Sequence, residues 1–319
     1  MHRRSLSTLV ASGALALGLA TVGVTAAADT ATAAQPARMA KKLYLSIGDS
    51  YSVGYQNPTL GNTPGFTGYV AKKEKLQLEN FGCGGATTTS LFTQIGCSPQ
   101  SSAATDGVAY PTTDQVDAAV AFITAHPGQI GLVTVSIGGN DVTACANNTD
   151  PISCVIAATG TIKTNVDHLV AVLHAALTSG GDTSAHIVGI TYPDVILGDD
   201  VFPVHSTNPT LAGESVTAFD ALINPTLSAA YTSVAEGAFV NVTSAPYKKA
   251  TAGDDTNPWT GAVPSGPTTK LKGFGKGVPD SVWEVCTLTY YCSIQGDIHA
   301  NTKGYDFIGS LITAKLASL

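Results

Sequence analysis

LYLSIGDSYS, residues 43–52, is an apolar run that ends in a turn carrying a serine. Residues 43–47 predict a first buried strand, because short apolar runs bounded by turn residues are typical of strands. Ser50 follows at the point where that strand ends and the backbone turns. Three further segments follow in order along the chain: GCGGATT at 82–88, GGND at 138–141 and DIHAN at 297–301.

The rest of the chain alternates strand and helix signals. Further strands are predicted at 76–81, 130–137, 187–191 and 239–242. Helices are predicted at 67–75, following a capping sequence at 112–115, at 155–177, at 214–236 with an interruption at Pro225, and from Asn301 to about 317. Such alternation predicts parallel pairing and a three-layer α/β/α sandwich. Ligands bind these sheets outside the carboxyl ends of the strands, and Ser50, Gly85 and Asn140 each follow such an end. We therefore expect these residues at one rim.

The N-terminal residues 1–28 are expected to form a signal peptide. Arg3 and Arg4 give a positive start, residues 6–25 are apolar and small, and alanines offer several cleavage points. Residues 29–40 are small and polar and predict a flexible segment, so that the folded domain spans 41–319. No second apolar run reaches the ~18 residues of a membrane span. The expectation is a secreted protein without stable membrane insertion.

Composition and charge limit the classes of molecule that the protein is expected to bind. Of the 319 residues, 44% are hydrophobic and 12% are charged, which is typical of a globular protein. The formal net charge is −7 and the basic residues are scattered, whereas a nucleic-acid surface needs clustered Lys and Arg. We expect a monomer that binds no nucleic acid.

Six cysteines follow the predicted signal peptide. Export favours disulfides, and no C-x-x-C or histidine spacing indicates a metal site. Six cysteines permit 15 connectivities, so the pairing is a prediction from proximity alone. The predicted pairs are Cys83 with Cys97, Cys145 with Cys154, and Cys286 with Cys292.

The four segments can perform nucleophilic catalysis. A serine hydroxyl is a poor nucleophile until a nearby base takes its proton, and His299 is the candidate base for Ser50. The tetrahedral intermediate then needs hydrogen-bond donors for its oxyanion. The backbone N–H groups of Ser50 and Gly85 and the side-chain amide of Asn140 suit that role.

With these motifs, the chain resembles the SGNH, or GDSL-type, hydrolases, and most closely the secreted actinobacterial esterases and lipases. The resemblance runs from about residue 42 to the C-terminus. It implies a flavodoxin-like sandwich with a five-stranded, mainly parallel sheet. It implies Ser50 as nucleophile, His299 as base, and Gly85 and Asn140 as oxyanion donors, with no metal or other cofactor. The implied substrates are lipid or other acyl esters, cleaved through an acyl-enzyme.

One position departs from the family pattern. Many members carry an aspartate three residues before the histidine, where this chain has Gly296, and Asp297 lies only two before His299. In an extended segment, that spacing displaces the carboxylate by about 7 Å along the chain. We therefore favour a Ser50–His299 dyad supported by the Gly296 carbonyl, with an Asp297 triad as the alternative.

Other functions remain open. A carbohydrate acetyl esterase of the same fold is the first alternative, and a non-catalytic secreted glycan- or wall-binding protein is the second. Two irregular stretches, 90–110 and 243–281, interrupt the pattern, and loops of that length are often functional covers. Four aromatic residues in or beside the second stretch either line an acyl pocket or form a hydrophobic cluster beneath a loop: Trp259, Trp283, Tyr290 and Tyr291.

Overall fold

A computed structural model describes residues 42–201, 208–245, 247, 268–271, 277–293 and 297–319. All of these belong to one compact unit, residues 41–319. The predicted signal peptide (1–28), the predicted flexible segment (29–40), Trp259 and Gly296 lie outside the described residues.

A five-stranded parallel sheet forms the centre of the fold. Its strands are β1 (Leu43–Gly48), β2 (Gln77–Asn80), β3 (Ile130–Ser136), β4 (His186–Ile190) and β5 (Gly237–Val240). Their order is β2-β1-β3-β4-β5 and every pair is parallel, which confirms the predicted fold class and matches the flavodoxin-like order. β2, the next strand along the chain, pairs with one edge of β1, and β3 pairs with the other edge. Such a switch point opens a crevice between the carboxyl ends of β1 and β3.

Helices cover both faces of the sheet. They are α1 (Gly65–Glu74), α2 (Gln115–Ala125), α3 (Gly139–Thr143), α4 (Pro151–Gly180), α5 (Pro209–Thr217), α6 (Asn224–Tyr231), α7 (Asp280–Leu288) and α8 (Thr302–Leu316). On one face, α2, α4 and α6 pack on alternate strand residues such as Leu45 and Val133. On the other face, α1 and α8 pack on the intervening residues, such as Tyr44 and Leu132. Successive side chains of a strand point to opposite faces of the sheet, so they pack into two cores, one on each face. The sheet and the helices over its two faces form the three layers.

Side-chain caps set several of the helix boundaries. Asp114 accepts a hydrogen bond from the N–H of Asp117 at the start of α2. Asn301 caps α8, as predicted, by accepting from the N–H groups of Lys303 and Gly304. Each cap satisfies backbone donors that have no partner within the first turn of a helix.

The helical region around Pro225 differs from the prediction. Instead of an interruption at Pro225, a π-helical segment (Ala218–Ile223) joins α5 to α6 without a break. Proline has no N–H, and its ring would collide with the carbonyl four residues earlier in an α-helix. A wider turn just before the proline relieves both problems, so the helix continues.

The second irregular stretch is not wholly irregular. It contains a two-stranded antiparallel sheet, β6 (Thr268–Lys270) and β7 (Gly277–Pro279), and α7 begins at Asp280. Three-residue strands rich in Thr, Lys and Gly carry no apolar alternation, so the sequence pattern does not indicate them.

Three disulfides join all six cysteines: Cys83–Cys97, Cys145–Cys154 and Cys286–Cys292. Each closes a short loop, of 14, 9 and 6 residues in sequence separation. A helix that combines the length and the hydropathy of a membrane span does not occur in the described part of the chain.

Candidate active site

The turn after β1 presents Ser50 at the crevice. Gly48 ends the strand with a φ of +141°, which favours glycine, and a Cβ built there would lie 2.0 Å from the carbonyl oxygen of Ser136. The Gly48 N–H donates to Oε1 of Gln115 at 2.6 Å. This close approach of the turn to β3 leaves Ser50 largely buried, with 9% of its surface exposed.

His299 meets Ser50 from the far end of the chain. Its Nε2 lies 3.0 Å from Oγ of Ser50, across 249 residues of sequence. An imidazole that carries its proton on Nδ1 can accept the serine proton on Nε2. The structure therefore brings together the predicted nucleophile and the predicted base.

Asp297 lies against the other nitrogen of the imidazole. Its Oδ1 is 2.6 Å from Nδ1 of His299 and also accepts the backbone N–H of His299 at 3.0 Å. A carboxylate that accepts from the backbone two residues on forms an Asx turn. Residues 297–299 are thus not extended, which is why the displacement expected from the spacing does not arise. The alternative support, the Gly296 carbonyl, lies outside the described residues.

The surroundings of His299 keep its imidazole neutral. Burial lowers the pKa of His299 below its usual 6.5, and the hydrogen bond and negative charge of Asp297 partly oppose that shift. Because a base must be unprotonated to act, a lowered pKa keeps His299 competent at neutral and mildly acidic pH.

Two of the predicted oxyanion donors lie close together, Gly85 on the turn after β2 and Asn140 in the short helix α3 after β3. Gly85 has a φ of +83°, and the space where its Cβ would stand is open. Nδ2 of Asn140 donates to the carbonyl of Ala86 at 2.8 Å, which joins α3 to the turn after β2. A primary amide has two N–H bonds, so this contact orients Asn140 and leaves one hydrogen for a ligand.

Asp141, also in α3, makes a second connection to the turn after β2. Its carboxylate accepts from the N–H of Thr88 at 2.9 Å and from Oγ1 of Thr88 at 2.6 Å. Asn165 of α4 donates to the same Oγ1 at 3.1 Å. Asp141 therefore has a structural role at the site.

Asp49 has a structural position beside the nucleophile. Its carboxylate accepts from the Tyr51 N–H at 3.0 Å and from the Tyr192 hydroxyl at 2.5 Å. Burial raises the pKa of Asp49 to about 7, against the effect of these two hydrogen bonds. Tyr192 was missed in the sequence, although it stands just beyond the carboxyl end of β4, where the rule applied to Ser50 and Asn140 would have found it.

Tyrosines surround the histidine segment. The Tyr51 hydroxyl donates to the Ile298 carbonyl at 2.7 Å, and the Tyr290 N–H donates to the His299 carbonyl at 3.0 Å. The ring of Tyr55 stands edge-on to the imidazole, with 4.6 Å between centroids. Tyr51 follows the nucleophile and Ile298 precedes the base, so one hydrogen bond connects their two segments directly.

An apolar cavity opens beside Ser50 and Asn140. Its walls come from α3, the first turns of α4, the segment after β4, α5 and the π-helical segment. Of the aromatic residues predicted as possible pocket walls, Trp283, Tyr290 and Tyr291 do not line it, and Trp259 lies outside the described residues. Trp283 instead packs in a separate hydrophobic cluster with Val282 and Val285, which is the alternative that the sequence left open. Groups of three or more potential metal ligands are not found among the described residues.

Comparison with known proteins identifies relatives of this arrangement. A sequence model described as "GDSL-like Lipase/Acylhydrolase" matches residues 44–312. No curated protein sequence matches the chain.

Solved structures with a similar backbone fold include three lipolytic proteins. A lipase from a goat rumen metagenome is 15% identical, with 86% of this chain and 97% of that chain covered and a TM-score of 0.49. An extracellular lipase from Streptomyces rimosus is 14% identical, with 86% and 99% covered and a TM-score of 0.47. A phospholipase A1 from Streptomyces albidoflavus is 17% identical, with 86% and 100% covered and a TM-score of 0.44.

Proposed function

Since this chain belongs to the GDSL-like lipase/acylhydrolase family, the SGNH hydrolases, and is a carboxylic ester hydrolase, we propose that Ser50 is its nucleophile and that acyl esters of lipid type are its substrates. The observation that carries the proposal is the 3.0 Å separation between Oγ of Ser50 and Nε2 of His299. That distance is within hydrogen-bond reach, as a nucleophile and its base require.

In the first half of the reaction, Ser50 attacks the ester carbonyl while His299 takes the hydroxyl proton. Asp297, at 2.6 Å from Nδ1, orients the ring and stabilises the imidazolium that forms. We propose this triad in place of the dyad favoured from the sequence. The oxyanion is held by the N–H groups of Ser50 and Gly85 and by the free N–H of Asn140.

In the second half, His299 returns its proton to the departing alcohol oxygen and leaves Ser50 acylated. The same imidazole then takes a proton from water, which attacks the acyl carbon, and returns that proton to Oγ of Ser50 as the acid leaves, so that the free serine is restored. Apart from the ester and the water, every step uses groups of this chain.

The apolar walls beside Ser50 favour a lipid-type acyl ester over the acetyl ester of a carbohydrate, the alternative substrate. An acetyl group would leave most of such a cavity unfilled.

We further propose that the protein is secreted after removal of residues 1–28 and that 41–319 form the hydrolase domain. Three disulfides support that proposal, because disulfides persist in oxidising compartments outside the cytosol.

Replacement of the proposed nucleophile tests the mechanism. We expect Ser50→Ala to lower kcat for p-nitrophenyl butyrate by about 10⁴-fold or more, since loss of a nucleophile leaves only binding and oxyanion contacts. A fluorophosphonate should label the wild type at Ser50, read by peptide mass spectrometry. Ser102→Ala, in a neighbouring loop, is the control and should retain full turnover. Labelling of another residue, or activity that survives in Ser50→Ala, would contradict the proposal.

A further inference from the structure

Tyr192 contacts both of the segments that the reaction must keep at a fixed separation. It lies two residues beyond the end of β4, and only 8% of its surface is exposed. Its hydroxyl donates to Oδ2 of Asp49, the residue before Ser50, at 2.5 Å. Its ring lies against the backbone of Gly139, the residue before Asn140. One side chain thus contacts the immediate neighbours of the proposed nucleophile and of a proposed oxyanion donor.

The contact with Asp49 supports the backbone of the nucleophile turn. Oδ1 of the same carboxylate accepts the N–H of Tyr51 at 3.0 Å, so the carboxylate spans Ser50 from the residue before it to the residue after it. Burial raises the pKa of Asp49 to about 7, and the hydrogen bond from Tyr192 is the largest effect that opposes this rise. Among the described residues, no cation forms an ion pair with Asp49. The Tyr192 hydroxyl is therefore the main support of the carboxylate that shapes this turn.

The contact with Gly139 limits how closely the start of α3 can approach. A Cβ built at Gly139 would lie 3.0 Å from Cζ of Tyr192 and 3.2 Å from both of its Cε atoms. Carbon atoms pack best at about 3.5–4.0 Å, so the ring and the helix come this close only because residue 139 has no side chain. The φ of Gly139 lies outside the left-handed region. Close approach of the ring, and not backbone strain, therefore accounts for this glycine.

Tyr192 is held at both ends, so its ring cannot easily move aside. At the backbone, its carbonyl accepts from Oγ1 of Thr243 at 2.8 Å, and Oγ1 of the preceding Thr191 accepts the N–H of Val242 at 2.9 Å. These two contacts join the segment after β4 to the segment after β5. At the far end of the side chain, Asp49 binds the hydroxyl. A ring fixed in this way can transmit the position of the sheet to the nucleophile turn and to α3.

Resting on the proposed function, we propose that Tyr192 is a positioning residue that sets the distance between Oγ of Ser50 and the oxyanion donor Asn140. Its hydroxyl holds the nucleophile turn, and its ring sets the position of α3. The oxyanion forms between these two segments, and a small error in their separation weakens a donor that acts mainly in the transition state. The role of Tyr192 is thus to place other groups, through Asp49 and Gly139.

Removing the hydroxyl in the full chain tests its part of this role. Because a hydrogen bond to a charged group is lost, Tyr192→Phe should lower kcat for p-nitrophenyl butyrate by about 10- to 100-fold and change KM by less than about twofold. Butylboronic acid forms a tetrahedral adduct with a nucleophilic serine, so its inhibition constant should rise by a similar factor. Fluorophosphonate labelling carried to completion counts the active sites, and kcat is expressed per labelled site, so unfolded protein does not contribute.

Tyr231→Phe is the matched control for that substitution. Tyr231 is a fully buried tyrosine that packs against Gly189 of β4, and its hydroxyl has no hydrogen-bond partner among the described residues. The same chemical change at this position should leave kcat, KM and the inhibition constant of butylboronic acid unchanged.

Gly139→Ala tests the contact with the ring. The added methyl group should push α3 away from a ring that cannot yield, and kcat should fall by about tenfold while KM is retained. Tyr192→Phe frees the ring from Asp49, so in that background the loss caused by Gly139→Ala should be smaller. Gly160→Ala, on the exposed side of α4, is the control and should not change kcat, because no atom lies within 4 Å of the Cβ position there.

Two results would overturn this inference. One is a Tyr192→Phe enzyme whose kcat per labelled site and inhibition by butylboronic acid match those of Tyr231→Phe. The other is a loss expressed only in KM, which would show that Tyr192 binds the substrate and does not place the oxyanion donor. Turnover by Ser50→Ala would instead contradict the proposed function, so the two proposals can fail separately.

Discussion

Ser50 lies between two regions that are held in place by different means. The oxyanion side consists of the turn at 82–88, which follows β2, and of residues 138–141, where α3 begins after β3. The base side, residues 297–301, is a connection between α7 and α8 with no strand of the central sheet before it. Backbone pairing in the central sheet therefore fixes one side, whereas the other is held outside that sheet, by side-chain hydrogen bonds and by the backbone hydrogen bond from Tyr290 to His299.

The hydrogen bonds of the two sides show the same contrast. On the oxyanion side, the Asn140–Ala86 and Asp141–Thr88 hydrogen bonds connect α3 to the turn after β2, two segments that the sheet has already brought close. On the base side, Tyr51–Ile298 and Asp297–His299 act together with an antiparallel backbone bridge between Thr289 and Ala300, outside the central sheet. A contact that only positions other residues should therefore matter less on the first side than on the second.

Replacing Asp297 tests that contrast most strongly. We expect Asp297→Asn to lower kcat by about 10³-fold, because the amide no longer stabilises the imidazolium and can hold the ring in the wrong tautomer. Since the negative charge of Asp297 raises the pKa of His299, its removal should also move the acidic limb of kcat/KM to lower pH. A pH–rate profile from 4 to 9 measures both effects.

Asp306→Asn, at an exposed position on α8, is the control for that substitution and should leave the profile unchanged. If Asp297→Asn keeps nearly full activity with an unshifted acidic limb, then a backbone carbonyl orients the histidine and the dyad is the correct description.

Asn140→Ala probes the oxyanion side. Loss of its donor should lower kcat by about 10²–10³-fold with little change in KM, because the hydrogen bond strengthens only as negative charge develops on the carbonyl oxygen. Asn62→Ala removes a comparable amide-to-carbonyl contact, with Ala103, outside the site and should not change kcat. A loss expressed mainly in KM would indicate that Asn140 binds the substrate and not the transition state.

Tyr51→Phe gives the smallest expected effect. The substitution removes the hydroxyl bound to Ile298 and retains the ring, whose centroid lies 4.9 Å from that of Tyr192 and 5.7 Å from that of Tyr305. We expect a loss of about 1 kcal/mol in the free energy of unfolding and a fall in kcat of about tenfold as His299 loses its alignment.

The matched control is Tyr44→Phe, which removes a buried hydroxyl bound to Thr134 within the sheet. It should cost similar stability and leave kcat unchanged. Equal kinetic effects of the two substitutions would show that Tyr51 acts only through stability.

The same contrast explains what the sequence could predict. The alternation of strand and helix signals indicated all five strands, and the rule about carboxyl ends then predicted Ser50, Gly85 and Asn140 at one rim without any knowledge of side-chain contacts. The identity of the histidine's partner depends on whether residues 297–299 are extended or turned, and a spacing of two residues permits both. The Tyr51–Ile298 contact and the wide turn before Pro225 depend on packing between distant segments, which local patterns do not encode.

The separation of Ser50 and His299 by 249 residues has a consequence for biosynthesis. On the proposed mechanism, a nascent chain has no base for its serine until His299 has been synthesised. The helix that follows, α8, packs against α1, just downstream of the serine, so the two segments that carry the proposed pair are held together. A product clipped before residue 297 should therefore lack esterase activity.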